Sequence, residues 1–291
     1  MEDESIIQEL LCAMEQSLKK DEKSPNTIAK YEKDVGAYLD YIALQKPPDQ
    51  PLDMDWIFNQ DNLHGYRLHL EEAYVPTGAN SRISAINYFL KSRSLDHLCI
   101  KSFRIQRQSF RPDQRELTKE EYFRLLKAAE EKHNIRMNLL MQTIAATGIR
   151  VSELRFITVE AVQNGQACIR LKGKIRTVLL PTLLCRKLQE YAVQHNITRG
   201  CIFITSGGNP MNRSNISRAM KGISRSAGVP AEKVFPHNLR HLFAITYYES
   251  QNDLCHLADI LGHSNLDTTR IYTSVSYSMH RRQIEGLGLV K

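Results

Sequence analysis

Residues 236–244 read Pro-His-Asn-Leu-Arg-His-Leu-Phe-Ala, a stretch that holds two histidines and an arginine within five residues. We interpret 236–249 as a helix, in which His237 and Arg240 are three residues apart and share a face. Arginine offers a phosphate a planar pair of donors, and histidine offers a donor or a proton carrier. The pair can therefore hold a phosphate, although a surface His and Arg in unrelated ion pairs are the more usual situation for such a pair alone.

The same stretch also has the spacing of a zinc site, because His237 and His241 are four residues apart. A zinc protease motif has Glu directly after the first His, and here that position is Asn238. None of the six cysteines stands in a Cys-x-x-Cys pair. We therefore expect no metal, no other cofactor and free thiols that lie mostly in the core, and a helical zinc hydrolase is a weak alternative.

A second stretch, 261–272, brings a histidine and a tyrosine close to the end of a helix. Gly262 can end a helix predicted over 253–261 and expose His263. Tyr272 follows nine residues later, on a short helix predicted over 266–272. A half-buried core tyrosine is the ordinary alternative for Tyr272.

A third stretch, 146–154, places Arg150 between a glycine that can end a helix and Ser152, a predicted helix cap. Backbone N–H groups at such a junction favour anions. Glu153 either orients a catalytic group or is a first-turn helix acid, and the sequence leaves both interpretations open.

The length of 291 residues favours two domains over a single core. Charge is uneven, since residues 1–110 hold 13 Lys and Arg against 17 Asp and Glu, whereas the remainder holds 26 against 15. The basic C-terminal part suggests a nucleic acid partner, and a solvated basic surface accounts for the charge equally well. No apolar run approaches the ~18 residues that span a bilayer, and the acidic N-terminus is unlike a signal peptide, so we expect a cytoplasmic protein without membrane contact.

The first part of the chain is predicted to be helical. Ser24-Pro25 is a helix start signal, and apolar residues follow at helical spacing until Lys46-Pro47. Further helices are predicted over 61–74 and 79–92. We expect DNA contacts from basic residues of the last helix, namely Arg82, Lys91 and Arg93.

Residues 101–115 have neither helical nor alternating periodicity and hold five basic residues against one acid. We interpret them as an extended linker that lies along a phosphate backbone, and a plain solvated linker is the alternative. The DNA contacts expected from this segment are Lys101, Arg104 and Arg107.

After Leu117 the pattern predicts helices around a small hairpin. Thr118 to Glu121 fit a capping box, and a helix is predicted over 138–146. Short β-prone runs at 167–171 and 177–180 flank the turn Lys172-Gly173-Lys174, which predicts a hairpin. Another helix is predicted over 212–227.

The motifs together carry a resemblance to a known family. "ATGIRVSEL" (146–154), the lysine hairpin, "HNLRHLFA" (237–244) and "LGHSNLDTTRIYT" (261–273) occur in the order of the four catalytic landmarks of the tyrosine recombinases, which include Xer recombinases and phage and transposon integrases. "SPNTIAKYEKDVGAYLDYI" (24–42) is similar to their core-binding domain. The resemblance covers essentially the whole chain.

The resemblance implies a mainly α fold with a small β-sheet. A helical, SAM-like core-binding domain is expected over 1–103, a basic linker over 104–116, and a mixed α/β catalytic domain of the DNA breaking-rejoining type over 117–291.

The resemblance also implies a role for each matching residue. Arg150 and Arg240 would clamp the scissile phosphate, and His237 would bind it and assist proton movement. His263 would donate to a non-bridging oxygen. Tyr272 would be the nucleophile of a 3′-phosphotyrosyl intermediate. Lys172 would protonate the departing 5′ oxygen, but the turn is one residue shorter than is usual in the family. Lys174, otherwise expected to contact DNA, and Arg176 are close by and are therefore alternatives for the same role.

The implied partner is double-stranded DNA, bound by a homotetramer on two duplexes that exchanges the tails at 274–291. A tail docked on its own domain is the alternative, and an accessory protein is left open. A type IB topoisomerase and a catalytically idle DNA-binding regulator are the competing functions. Whether the task is integration, excision or dimer resolution is not decided by these motifs.

Overall fold

The computed structural model describes residues 2–105, 116–171, 173–263, 265–272 and 285–288, without the side chains of Glu2, Lys174 and Asp267. The chain divides into two compact units, a first unit of Met1–Arg107 and a second unit of Gln108–Lys291. Of the predicted linker at 104–116, residues 106–115 lie outside the described residues, so the linker stays a prediction. No helix in the described part of the chain has the length and apolar character that a bilayer crossing requires.

The first unit is helical in its described residues, with a 3-10 helix at Asp96–Leu98 near its end. Its α-helices are α1 (Glu2–Lys20), α2 (Pro25–Gln45), α3 (Met54–Ile57), α4 (Gln60–Ala73) and α5 (Pro76–Lys91). The helix α1 was not singled out in the sequence, and α5 begins three residues before the predicted start, because Pro76 occupies its first turn and suits that position.

The predicted start and apolar face of α2 are confirmed. The Ser24 side chain accepts a hydrogen bond from the Thr27 N–H, and Pro25 is the first helical residue. Val35, Tyr38 and Leu39 have no exposed surface and lie in the core of this unit.

The second unit surrounds a two-stranded sheet with helices. The α-helices given by its described residues are α6 (Lys119–Glu131), α7 (Ile135–Thr147), α8 (Val159–Gln163), α9 (Thr182–Gln194), α10 (Arg213–Ser224), α11 (Pro236–Gln251) and α12 (Leu254–Leu261). Its 3-10 helices are Val151–Phe156, Ala231–Lys233, Leu266–Thr268 and Arg270–Tyr272. The capping box at Thr118 is confirmed. The prediction of a single short helix over 266–272 was wrong, because this segment forms two 3-10 turns.

The predicted hairpin is present, as β1 (Gln166–Leu171) and β2 (Lys174–Leu179). The strands pair antiparallel, with Leu171 opposite Lys174, and Gly173 takes the left-handed conformation of the turn at φ 71°. The second strand therefore begins three residues earlier than predicted and includes Lys174.

The end of α7 determines where the following residues lie. Gly148 caps α7 in the left-handed conformation, with φ 63°. A Cβ built there would lie 2.5 Å from Cδ1 of Phe243, so only glycine lets the end of α7 approach α11 this closely. Arg150 follows Gly148 by two residues, so this contact determines where Arg150 lies.

The cysteine prediction was half right. All six are free thiols, but only Cys185 is buried, while Cys12, Cys168 and Cys255 are exposed. The expectation that they lie mostly in the core was therefore wrong.

Candidate active site

Arg150 and Glu153 form a tight local pair at the start of the 3-10 helix. Glu153 Oε2 accepts from the Arg150 backbone N–H at 2.8 Å, and Oε1 accepts from Arg150 Nη1 at 3.0 Å. The cap of this turn is therefore the Glu153 carboxylate, and the predicted Ser152 cap was wrong. Glu153 is 3% exposed, whereas the Arg150 side chain is 39% exposed and faces solvent. Of the two interpretations left open for Glu153, this geometry supports orientation of Arg150.

Arg240 lies deeper in the second unit, on α11, and is 3% exposed. Its Nη1 donates to the Gly148 carbonyl oxygen, and its Nη2 donates to the Leu261 carbonyl oxygen at 2.8 Å. Burial, followed by the charge of Arg150, lowers the pKa of Arg240 to about 10. Arg240 is therefore still a cation at neutral pH.

The end of α12 gathers three arginines. The carbonyl oxygens of Ile260, Leu261 and Gly262 accept hydrogen bonds from Arg176, Arg240 and Arg150, respectively. The last carbonyls of a helix lack partners within the helix and carry partial negative charge, so cations there are stabilising. These three contacts fix the guanidinium groups around one helix end, which leads directly into His263.

His263 is held in one tautomer by its neighbours. Its Nε2 lies 2.9 Å from Arg240 Nη2, and because arginine only donates, Nε2 accepts. The proton is then on Nδ1, which donates to Thr269 Oγ1 at 2.8 Å. Burial, followed by the charges of Arg240 and Arg150, lowers the pKa of His263 to about 4. The ring is therefore neutral at pH 7.

Tyr272 is buried, with 4% exposure, and packs between two histidines. Its ring centroid lies 6.2 Å from that of His263, with nearly parallel planes at 14°, and 5.0 Å from that of His241. Ala244, Leu257 and Leu261 complete the apolar surroundings. The tyrosine is thus a buried residue, as the alternative interpretation had it, and it also lies beside the cationic cluster.

The remaining predicted site residues are placed less completely. His237 is exposed on the first turn of α11, three residues before Arg240 as predicted. Lys172 lies outside the described residues, and of Lys174 only the backbone is described. The choice between these two lysines therefore stays open.

His241 does not present a zinc pair together with His237. It is 7% exposed, its ring packs on Tyr272, and its Nε2 lies 3.2 Å from Glu116 Oε1. No group of three His, Cys, Asp or Glu side chains in the described residues forms a metal-ligand set.

Comparison with known proteins identifies the family. A model of the phage integrase family matches residues 115–279, which is more than half of the chain. The chain belongs to the phage integrase family. This confirms the family that the sequence motifs indicated.

The relatives of this chain include recombinases. It is 27% identical to the tyrosine recombinase XerD of Oceanobacillus iheyensis over 268 residues, covering 87% of this chain and 89% of the relative. A XerH site-specific recombinase bound to palindromic difH substrate has a TM-score of 0.72 at 21% identity, covering 94% of this chain and 84% of that chain. A lambda integrase tetramer bound to a Holliday junction has a TM-score of 0.67 at 18% identity, covering 91% and 76%. The two structures confirm the predicted fold class.

The predicted DNA contacts whose side chains are described fall into two groups. Lys91, Lys101 and Arg104 are exposed. The Arg82 guanidinium instead stacks on Tyr74 at 3.7 Å, and that of Arg93 lies 5.4 Å from the Phe89 ring. Arg107 lies outside the described residues. The exposed group is therefore better placed for phosphate contact than Arg82 and Arg93.

The sequence interpretation missed two residues of this cluster. The sequence suggested Arg176 only as an alternative for the role of Lys172, and it suggested no role for Thr269, which is fully buried. Arg176 follows Ile175 on a strand, where successive side chains point to opposite faces. This alternation was the available signal for Arg176. For Thr269 no signal was available, because its role depends on a contact with His263.

We expect Glu153→Ala to lower the free energy of unfolding of the second unit by about 3–5 kcal/mol, because it leaves the largely buried Arg176 guanidinium without its carboxylate. Trp56, the only tryptophan, lies in the first unit, so its fluorescence reports that unit while far-UV circular dichroism reports both. The dichroism transition in urea should shift and the fluorescence transition should not. Glu190→Ala, at an exposed position of α9, is the control and should change stability by less than about 0.5 kcal/mol.

The pKa of His263 predicts a pH dependence of stability. It is about 4 in the folded protein, against 6.5 for a free histidine, so the unfolded chain takes up this proton first as the pH falls. The contribution of His263 is therefore complete above pH 6.5 and is lost towards pH 4. NMR of the ring should show titration near pH 4, and His263→Asn should reduce the slope of stability in this window. Titration of the ring near 6.5 would contradict the burial and the neighbouring arginine charges described for His263.

Proposed function

We propose that this protein is a site-specific DNA recombinase that cuts a DNA strand with Tyr272 and rejoins it to another strand. The observation that carries the proposal is the packing of Tyr272 on His263, whose Nε2 accepts from Arg240. This contact places a phenol beside a guanidinium that is fixed at the end of α12. Membership of the phage integrase family and the likeness to a XerD recombinase support the same function.

The cationic cluster suits a DNA phosphodiester, which is negative and repels nucleophiles. Arg150 and Arg240 bind the two non-bridging oxygens, where charge grows during attack. Donors that are fixed before the reaction cost no reorganisation, and one such donor is worth about 10²–10³ in rate. The contacts with Gly148, Leu261 and Gly262 provide this fixation.

In the cleavage step, the Tyr272 oxygen forms a bond to phosphorus as the bond from phosphorus to the 5′ oxygen breaks. The phenol loses its proton with the help of His237, and Lys172, or Lys174 in its place, protonates the departing oxygen. The products are a 3′-phosphotyrosyl ester and a 5′-hydroxyl. A second 5′-hydroxyl can reverse the step on another strand, and because the ester conserves the bond energy, no ATP is needed.

His263 changes role when DNA binds. In the structure its Nε2 is an acceptor, and the neighbouring guanidinium groups hold the ring neutral. A phosphate brings a negative charge, which raises the pKa of the imidazole. His263 then takes up a proton and donates it in a hydrogen bond to a non-bridging oxygen.

The exposed basic residues of the first unit suit duplex DNA as the partner. Lys91, Lys101 and Arg104 are exposed on the first unit and contact the phosphate backbone, so this unit acts as the core-binding domain. Residues 1–103 and 117–291 are the two domains joined by the basic linker.

A cytoplasmic location and the absence of a cofactor stay predictions. The family relationship does not favour the competing functions, which are a topoisomerase, an idle regulator and a zinc hydrolase.

The test is covalent capture of DNA. Duplexes selected by binding from a random-sequence pool, each nicked at one of several successive positions, are incubated with the full chain and then denatured. A protein–DNA adduct with a free 5′-hydroxyl is expected. Tight binding with no adduct at any nick position would support the idle regulator, and relaxation of supercoiled DNA by a monomer would support a topoisomerase.

The assembly we propose is a homotetramer on two duplexes, with the tails at 274–291 exchanged between subunits. The apolar tail residues support this arrangement, and among them Leu287 is 63% exposed. A chain that ends before Met279 should bind single sites but form no tetramer on DNA in gel filtration. An unchanged tetramer would indicate that each tail docks on its own subunit, and an accessory protein is not needed for either outcome.

A further inference from the structure

Arg176 links three elements of the second unit, although no step of the proposed reaction uses it. It lies on β2 with its side chain 16% exposed. Its Nη2 donates to Glu153 Oε2 at 2.6 Å, and its Nη1 donates to the Ile260 carbonyl oxygen. One guanidinium therefore joins the hairpin to the start of the 3-10 helix and to the end of α12.

Through Glu153, Arg176 acts on Arg150. The oxygen that accepts from Arg176, Oε2, also accepts from the Arg150 backbone N–H at 2.8 Å, while Oε1 of the same carboxylate holds Arg150 Nη1. Burial raises the pKa of Glu153, but the Arg150 N–H and the Arg176 charge outweigh that effect, so its pKa is lowered. The carboxylate is thus a fixed anion whose position depends on both arginines.

Through the end of α12, Arg176 also acts on His263. A Cβ built on Gly262 would lie 2.5 Å from Arg176 Cδ, so the arginine packs directly against the residue before His263. Gly262 has a left-handed φ of 63°, and its carbonyl oxygen accepts from Arg150 Nη2 at 3.3 Å. The Arg176 side chain therefore borders the Gly262 peptide. This peptide sets the direction of His263 and accepts a hydrogen bond from Arg150.

We propose that Arg176 is a positioning residue for strand cleavage, which holds Arg150 and His263 in the relative geometry that a DNA phosphate requires. This inference rests on the proposed function. The proposal gives Arg176 no contact with the phosphate; its two Nη groups donate to Glu153 and Ile260. A misplacement of about 1 Å in a reacting group can cost about 10² in rate, so the loss of Arg176 should slow cleavage by about 10- to 100-fold.

The test compares two substrates at the mapped cleavage position, a normal phosphodiester and an uncharged methylphosphonate. Arg176→Met removes both donors, and Arg176→Lys keeps the charge without the planar fork that serves two acceptors. Arg170→Met, at an exposed position opposite Ile175 in the same hairpin, is the matched control. Single-turnover adduct formation, DNA affinity and the circular dichroism transition are measured for each.

We expect Arg176→Met to react about 10- to 100-fold more slowly on the phosphodiester, with DNA affinity within about threefold of the unchanged protein. The loss should be several-fold smaller on the methylphosphonate, because that substrate lacks the charge that Arg150 balances. Arg176→Lys should be intermediate, and Arg170→Met should match the unchanged protein. A double variant with Glu153→Gln should be no slower than the slower single variant, since both changes release Arg150.

Equal losses on both substrates would mean a purely structural role, and an undiminished rate would mean no role, so either result would overturn the inference. In both cases the unchanged protein still forms the adduct, and the proposed function stands. Failure of the unchanged protein to form any adduct would overturn the proposed function and this inference together.

Discussion

Tyr272→Phe is expected to abolish the covalent DNA adduct while leaving DNA affinity within about twofold. The change removes one oxygen, and that oxygen is the atom that bonds to phosphorus, so no adduct remains to be formed. The ring that packs between His241 and His263 is kept, which preserves the buried apolar cluster around it. Adducts are separated in denaturing gels after incubation with the nicked duplexes.

Tyr191→Phe is the matched control, because Tyr191 is also 4% exposed but lies on α9, away from the arginine cluster. It should form the adduct at the rate of the unchanged protein. An adduct that persists in Tyr272→Phe would assign the nucleophile to another residue. Mapping that residue by proteolysis and mass spectrometry would identify it.

The second large effect is expected for Arg240→Lys, which should lower the single-turnover cleavage rate by about 10²–10³. Lysine keeps the positive charge but has a single nitrogen, which cannot serve Gly148, Leu261 and His263 together and still meet a phosphate. DNA affinity should change only a few-fold, because affinity is summed over many phosphate contacts.

The same exchange at an exposed position of α9, Arg186→Lys, serves as the control and should leave the rate unchanged. The circular dichroism transition of both variants is followed so that a loss of folded protein is separated from a loss of rate. A rate for Arg240→Lys above about one third of the unchanged protein would contradict the role assigned to the buried guanidinium.

Local signals in the sequence were sufficient for much of the secondary structure. The Ser24 cap, the Thr118 capping box and the glycines that end α7 and α12 act within a few residues of the chain. Such signals are read correctly without any knowledge of tertiary contacts. The errors occurred where local signals compete or are absent, as in the two 3-10 turns before Tyr272 and the assignment of Ser152 as a cap.

The motifs predicted which residues belong to the candidate site but not the contacts between those residues. The motifs name Arg150, Arg240 and His263, because these residues recur at fixed positions in a family that the chain resembles and belongs to. The motifs do not say that Arg240 donates to His263, or that Glu153 holds Arg176 as well as Arg150. Those contacts join residues that are 23 positions apart in each case, and no periodicity in the chain encodes them.

The sequence by itself determined the types of reactive groups, the helices that carry most of them and the phosphate chemistry they suit. Only the tertiary structure decided that the ends of α7 and α12 meet and that three arginines share the carbonyl oxygens of one helix end. The physical reason is that helix ends, glycine turns and apolar faces are local properties of the chain. The tautomer of His263 and the surroundings of Tyr272 instead depend on which distant groups the packed core brings within hydrogen-bond distance.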